Sequence, residues 1–387
     1  MRRLHVLDWV GIGLFFAGGA AAAGGLLPVA EAEATVERIA PLLAFLGAVI
    51  VLAELTARAE VFDVLADRLA VLARGRTVAL FGVCVAFASV TTMILNLDTT
   101  AVLLTPVMLA LARRLQLPPL PLAVTTVWLA NTASLLLPVS NLTNLLAAGH
   151  VGLGPVAFAG RMWLPQLAAI SVTAIVLWVA YWRRTARHFT PPAPHRPRDL
   201  TLFRVALGAC LVFVAGVLIE VPLWLASGVA AAVLVGVFAV RDRGALRPGL
   251  LPWRLLVFVT GMFLVVETLG AHGLDRFAGD LIGTGAGAAG AFRASATGLG
   301  LANVVNNLPA YIAGEGGIGA GHRTQLLALL VGVNVGPLAA PWASLATLLW
   351  WERCRAGDVR VPPVRFLLAG AVVAVAGTAL ATAALLL

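Results

Sequence analysis

The sequence contains no lysine: all 27 basic residues are arginine. That absence excludes a phosphate-binding P-loop lysine and a Schiff-base lysine. Acidic residues are also few, 18 in 387, and charged residues make up only 12% of the chain. Soluble domains carry roughly twice that share, about 25%. Cys84, Cys210 and Cys354 lie far apart and form no CxxC pair, which excludes a disulfide framework. The six histidines lie mostly in loops without metal-ligand spacing, so no metal or cofactor is expected. With no zinc, serine-triad or lysine motif, the chain does not read as an enzyme.

Apolar residues fill the rest, 60% of the sequence. Long apolar runs recur from end to end, as expected of an all-α polytopic membrane protein whose spans satisfy their own backbone hydrogen bonds. A β-barrel would show short alternating strands instead. The net charge of +9 reflects arginine in cytoplasmic loops, and nucleic acid is not a partner. The start, Met1-Arg-Arg-Leu-His5 before an apolar run, reads as a retained first span without a cleavage site.

Spans need about 20 apolar residues. They fall near 7–30, 38–55, 120–149, 162–182, 202–219, 222–240, 253–270, 324–351 and 364–387. Two of these, 120–149 and 324–351, carry a duplicated polar interruption. Asn131, Pro138, Asn141 and Asn144 recur as Asn334, Pro341, Ser344 and Thr347, each 203 residues later. Two further regions, 78–112 and 294–322, read as re-entrant hairpins. The first has arms 78–95 and 101–112 around Asn96-Leu-Asp-Thr-Thr100. Its 12-residue second arm is too short to cross. The second flanks Asn306-Asn307-Leu308-Pro309. Stretches 57–74 and 272–290 are amphipathic and read as surface helices.

With the N-terminus in the cytoplasm, the inner loops hold 22 arginines. The opposite side keeps Arg38, Arg161, Arg276, Arg293 and Arg323. This positive-inside split gives the two halves opposite topology. The expected organisation is a first inverted repeat at 1–182, a cytoplasmic linker and connecting span at 183–219, and a second repeat at 220–387. Glu54 and Glu267 are echoed glutamates near span ends; helix-end and coupling roles are both open for them. Trp163, Trp182, Trp350 and Trp351 read as interfacial anchors.

Inverted repeats with broken helices place a transport site near the midplane. Asp98 is its sharpest candidate, because an ionisable group at membrane depth costs roughly 2.5–3.5 kcal/mol. It is the expected coupling residue, exchanging a proton or holding a cation; the alternative is an N-cap on an arm starting at Thr99. Its expected repeat partner is Asn306. Asn96, Thr99 and Thr100 lie beside it. Asn131, Ser140, Asn141, Thr143, Asn144, Asn307, Asn334, Ser344 and Thr347 complete the expected substrate set. Restarted half-helices there offer N–H groups to oxygen-rich substrates; helix–helix packing is the alternative use of such residues.

Several of these motifs resemble ArsB-type arsenite permeases: Leu97-Asp98-Thr99-Thr100 with Thr105-Pro106, Ser140-Asn-Leu-Thr-Asn144, Val305-Asn-Asn-Leu-Pro309, and Gly336-Pro337 with Pro341, Ser344 and Trp350. The resemblance spans about residues 40 to 385 and includes the wider ion-transporter superfamily, with its divalent anion:sodium symporters and NhaD-type antiporters. It implies export of As(III) and Sb(III) in exchange for protons across a bacterial or archaeal inner membrane. A soluble ATPase and self-association are further partners the resemblance brings. Two departures are Leu97 directly before Asp98 and Val335 directly before Gly336. Uptake of a small oxyanion or dicarboxylate, sodium/proton antiport and a channel are the rival readings.

Overall fold

The computed structural model describes residues 6–190, 195–219, 221–285, 287–319 and 322–387. Arg2 and Arg3, used above for orientation, and the linker residues Pro191, Pro192 and Pro194 lie outside them. The described residues form helices and loops, with one isolated bridge, Arg76 to His188.

In chain order the helices are α1 (Val6–Ala23), α2 (Val29–Arg58), α3 (Val61–Leu72), α4 (Thr77–Ile94), α5 (Leu97–Arg114) and α6 (Pro119–Thr132). Then come α7 (Leu142–Val151), α8 (Pro155–Leu177), α9 (Leu200–Leu218), α10 (Leu223–Arg241) and α11 (Trp253–Leu269). The last are α12 (Asp275–Ile282), α13 (Gly287–Val305), α14 (Asn307–Glu315), α15 (Arg323–Val335), α16 (Leu345–Ala356) and α17 (Pro363–Leu385). Among the described residues, seven helices are long and apolar enough to cross a membrane.

The chain forms two compact units, each taking segments from both halves of the sequence: 1–64 with 196–274, and 65–195 with 275–387. In the first unit α1 packs on α11, and α2 packs on α9, α10 and α11. The α1–α11 approach demands glycine. A Cβ on Gly261 would stand 2.3 Å from the Phe15 nitrogen, and small residues are what allow membrane helices to come so close. Arg38 meets Glu267 at 2.6 Å, and Glu54 lies 3.9 Å from Arg58. Both echoed glutamates thus face arginines of their own unit.

In the second unit the tightest pairs are α13 with α15 and α8 with α17. A Cβ on Gly332 would stand 2.1 Å from the Ser295 carbonyl oxygen. Trp128, Trp182 and Trp350 are fully buried. The Trp350 indole donates to the Ala123 carbonyl and stacks on Phe366; that of Trp182 donates to Thr125 Oγ1. Trp182 and Trp350 are therefore core residues rather than interfacial anchors, because each indole N–H found a partner inside. Trp163 is exposed.

Three sequence expectations shift. The second arm of the first hairpin is 18 residues long rather than 12, because helix α5 starts at Leu97 and absorbs the polar tip. The second amphipathic stretch, 272–290, is not one helix: α12 ends at Ile282, Gly283 follows at φ +65°, and α13 begins at Gly287. The linker residues Arg187, Phe189 and His195 are tied to the second unit. Phe189 N donates to the Gly75 carbonyl, Thr77 N to the Arg187 carbonyl, and His195 N to Asp67 Oδ2. Arg114 grips the same Asp67 carboxylate at 2.8 and 2.9 Å.

Candidate substrate and coupling site

All the candidate side chains lie in the second unit. The helix breaks bring them in. Helix α6 stops at Thr132, and the chain is irregular to Asn141 except for a single 3₁₀ turn at Pro138–Ser140. Helix α15 stops at Val335, and Gly336–Ser344 is irregular. Pro138, Pro337 and Pro341 lie within the two irregular segments, where each removes a helical donor. The restarts are capped by two of the candidate substrate residues. The Asn141 side chain accepts from Thr143 N at 3.3 Å, and Ser344 Oγ accepts from Thr347 N at 3.2 Å. Asn141 also donates to Ser134 Oγ at 3.4 Å.

One amide joins the two broken helices. Asn334 Oδ1 accepts from Thr143 Oγ1 at 2.7 Å, and Asn334 Nδ2 donates to Asn144 Oδ1 at 2.7 Å. Asn144 Nδ2 donates in turn to the carbonyls of Ser134 and Leu137. Thr143, Asn144 and Asn334 thus form one network that crosses from the first half to the second. Asn131, the sequence counterpart of Asn334, does not join it. Its Nδ2 donates to Val127 O within its own helix, and its buried Oδ1 has no partner.

The two hairpin turns are alike in backbone. Asn96 has φ 148° and Asn306 φ 94°. Both conformations lie in a region that is essentially glycine's, costing on the order of 1–3 kcal/mol in other residues. Both asparagines immediately precede the second arm. Asn96 Oδ1 accepts from Thr99 N at 2.8 Å, its carbonyl accepts from Thr100 Oγ1, and Asn306 Nδ2 donates to the Trp342 carbonyl at 2.8 Å. Asn307 N donates to the Ala343 carbonyl.

This equivalence corrects two sequence readings. The cap of α5 is Asn96, not Asp98. The place-for-place partner of Asn306 is then Asn96, and that of Asp98 is Leu308. Asp98 sits in the first turn of α5, and its Oδ1 is buried without a hydrogen-bond partner. The neighbouring Thr99 Oγ1 is buried and unpartnered too. A carboxylate left like this at the positive end of a helix is favoured by the helix dipole but lacks a specific proton donor. Ser140 Oγ donates to the Met93 carbonyl, which ties the first break to the arm leading to Asn96.

Three residues that position the breaks were not singled out from sequence. Asn303 accepts from Ala339 N and Ala340 N and donates to Gly336 O, while its own carbonyl accepts from the Trp342 indole. Gln166 accepts from Leu135 N at 2.8 Å, and Ser134 accepts from Asn141. The available signals were slight: Asn303 stands three residues before Asn306, and Gln166 is a lone amide in an apolar span.

The sequence is similar to known membrane proteins. An Escherichia coli arsenical pump membrane protein is 29% identical over 78% of this chain and 76% of its own length. A second Escherichia coli protein of that name is 27% identical over 85% and 82%. One from Yersinia enterocolitica is 30% identical over 65% and 64%. The solved Alcanivorax borkumensis YdaH transporter aligns over 98% of this chain and 96% of its own, at 16% identity and a TM-score of 0.46. The citrate transporter model, CitMHS, matches residues 4–350. The chain belongs to the citrate transporter family.

Proposed function

We propose that this protein is a secondary active transporter of the cytoplasmic membrane that exports arsenite or antimonite in exchange for protons. The observation that carries the reading is Asp98: a carboxylate in the first turn of α5 whose Oδ1 is buried without a hydrogen-bond partner, in the unit that holds both broken helices. Such a group can take up and release a proton where little else competes for it. Arsenite at neutral pH is largely the uncharged trihydroxide. The segments at 96–100, 131–144, 306–309 and 334–347 offer amides, hydroxyls and backbone groups but no arginine or histidine, which suits a neutral polyol-like substrate. Names of the relatives support the arsenical class. Inversion of the two halves, with the N-terminus in the cytoplasm, supplies alternating access.

A second reading, symport of a carboxylate such as citrate, is favoured by the family's name and by a specific geometry. Helices α5, α7, α14 and α16 all restart beside a break or hairpin turn, and helix N-termini attract anions. Proteoliposomes separate the two. As(III) flux that follows an imposed pH gradient and ignores sodium and citrate supports the first reading. Citrate flux driven by sodium, with no As(III) flux, overturns it.

A further inference from the structure

A titratable cluster outside the candidate site lines a cavity of about 280 Å³ in the second unit. His150 closes helix α7 and Glu315 closes helix α14. Their side chains approach to ion-pair distance, 2.9 Å from His150 Nδ1 to Glu315 Oε2, without hydrogen-bond geometry. His150 is 56% exposed and Glu315 only 19%, so the pair has one wet member and one sheltered member. His322 and Arg323, at the start of α15, line the same cavity with Gly316 and Gly319. Tyr311, one turn before Glu315, is fully buried, and its hydroxyl lies within electrostatic reach of the Glu315 carboxylate. Helix α12 packs on α14 and adds the exposed Asp275, Arg276 and Asp280. Among the described residues no group of three His, Cys, Asp or Glu converges as a metal site.

The two elements joined here are the ones whose other ends build the candidate site. Helix α7 carries Thr143 and Asn144 in its first turn, and α14 begins after Asn306. The corresponding position on α16, 203 residues after His150, is Arg353, a buried arginine. A histidine thus occupies one end of the repeat and an arginine, a permanent cation, the other.

We propose that His150 and Glu315 form a second proton-binding site at the mouth of the transporter, distinct from Asp98, which loads from the side away from the arginine-rich loops. The inference rests on the proton-coupled reading above. Neutral imidazole beside the Glu315 carboxylate takes one proton from solution and becomes imidazolium. The ion pair then holds the end of α7 to the end of α14, and loss of the proton loosens it. Protonation on the acidic side therefore changes how firmly two site-bearing helices are joined.

The experiment is As(III) transport in proteoliposomes of the full chain, with external pH varied between about 5.5 and 7.5, where histidine charge changes. His150→Gln and Glu315→Gln are each expected to lose at least about half of the external-pH dependence, with the double variant no worse than either alone. His150→Arg mimics the fixed cation of the other half. It should give the transport seen at low external pH across the whole range, with the profile flat. A normal pH profile in both single variants, or additive losses in the double, overturns the proposal. A wild-type protein with no proton-driven flux fails the functional reading instead, and does so before any variant is made.

Discussion

The two halves build the same device and load it differently. In each, an asparagine at positive φ turns a hairpin, and a proline-broken helix restarts on a polar cap. The first half follows its turn with Asp98; the second places Leu308 there. The first arm, α5, runs 18 residues, and the second, α14, only nine. The first break is held by Gln166 and Asn144, the second by Asn303. Under the proposed mechanism, similar backbone with different side chains keeps the geometry of both turns while confining the ionisable group to one of them. A carboxylate at both turns would double the cost of intramembrane charge.

The largest expected effect breaks that asymmetry. Asp98→Asn should lower proton-driven As(III) flux by about 5–150-fold, the usual range of a coupling free energy between sites, with thermal stability retained. Leu308→Asp added to it should not restore coupling, as measured by flux against an imposed pH gradient. Recovery would mean that the halves are interchangeable.

Next is the packing of the second half. Gly332→Val forces a side chain into the Ser295 carbonyl, where even a Cβ would stand 2.1 Å away. Overpacking of this kind costs about 1–3 kcal/mol. A lowered melting temperature in detergent is the readout, and an unchanged melt would show that α13 and α15 can separate cheaply.

The third prediction compares sequence-equivalent amides. Asn334→Ala strips partners from both Thr143 and Asn144 and should cost about 1–3 kcal/mol. Asn131→Ala removes one bond within its own helix and should cost about 0.5–1.5 kcal/mol. Equal losses in thermal unfolding would remove the distinction between the copies.

The smallest effect lies outside both copies. Asp199 caps α9, accepting from Leu202 N and Thr201 N, and pairs with Arg241. The backbone donor of Leu202, then Arg241, holds its carboxyl below the usual carboxylate range. A depressed folded value means its contribution is present above the unfolded value, about 3.9, and fades as pH falls through the folded one. Asp199→Ala should therefore lower stability slightly at neutral pH and converge with wild type in acid. A gap that persists in acid would assign the effect to the helix end alone.

Much of this was legible in sequence, and particular residues show where legibility stops. The break at Asn131–Asn144 could be read because proline and clustered amides are rare inside apolar runs. The start of α5 could not be placed, since Asn, Leu, Asp and Thr serve equally in a loop or a first helical turn. The side chain of Asn96 decided it by accepting from Thr99 N. Likewise Asn131 and Asn334 are identical at the same spacing, yet only Asn334 reaches across to the other broken helix.

The sequence by itself determined the class of the protein. A chain with no lysine, few acids and repeated apolar spans is held to membrane helices, because lipid leaves backbone groups no other partner. It also marked where two helices are interrupted, because proline and polar side chains cluster there inside apolar runs, whereas the lone Pro41, Pro106 and Pro165 sit within continuous helices. Tertiary structure decided which polar groups are paired and which are left open. Asn334, Asn303 and Trp350 found partners 36 to 227 residues away, while Asp98 Oδ1 found none. Those outcomes depend on which helices lie side by side, and spacing along the chain does not carry that information.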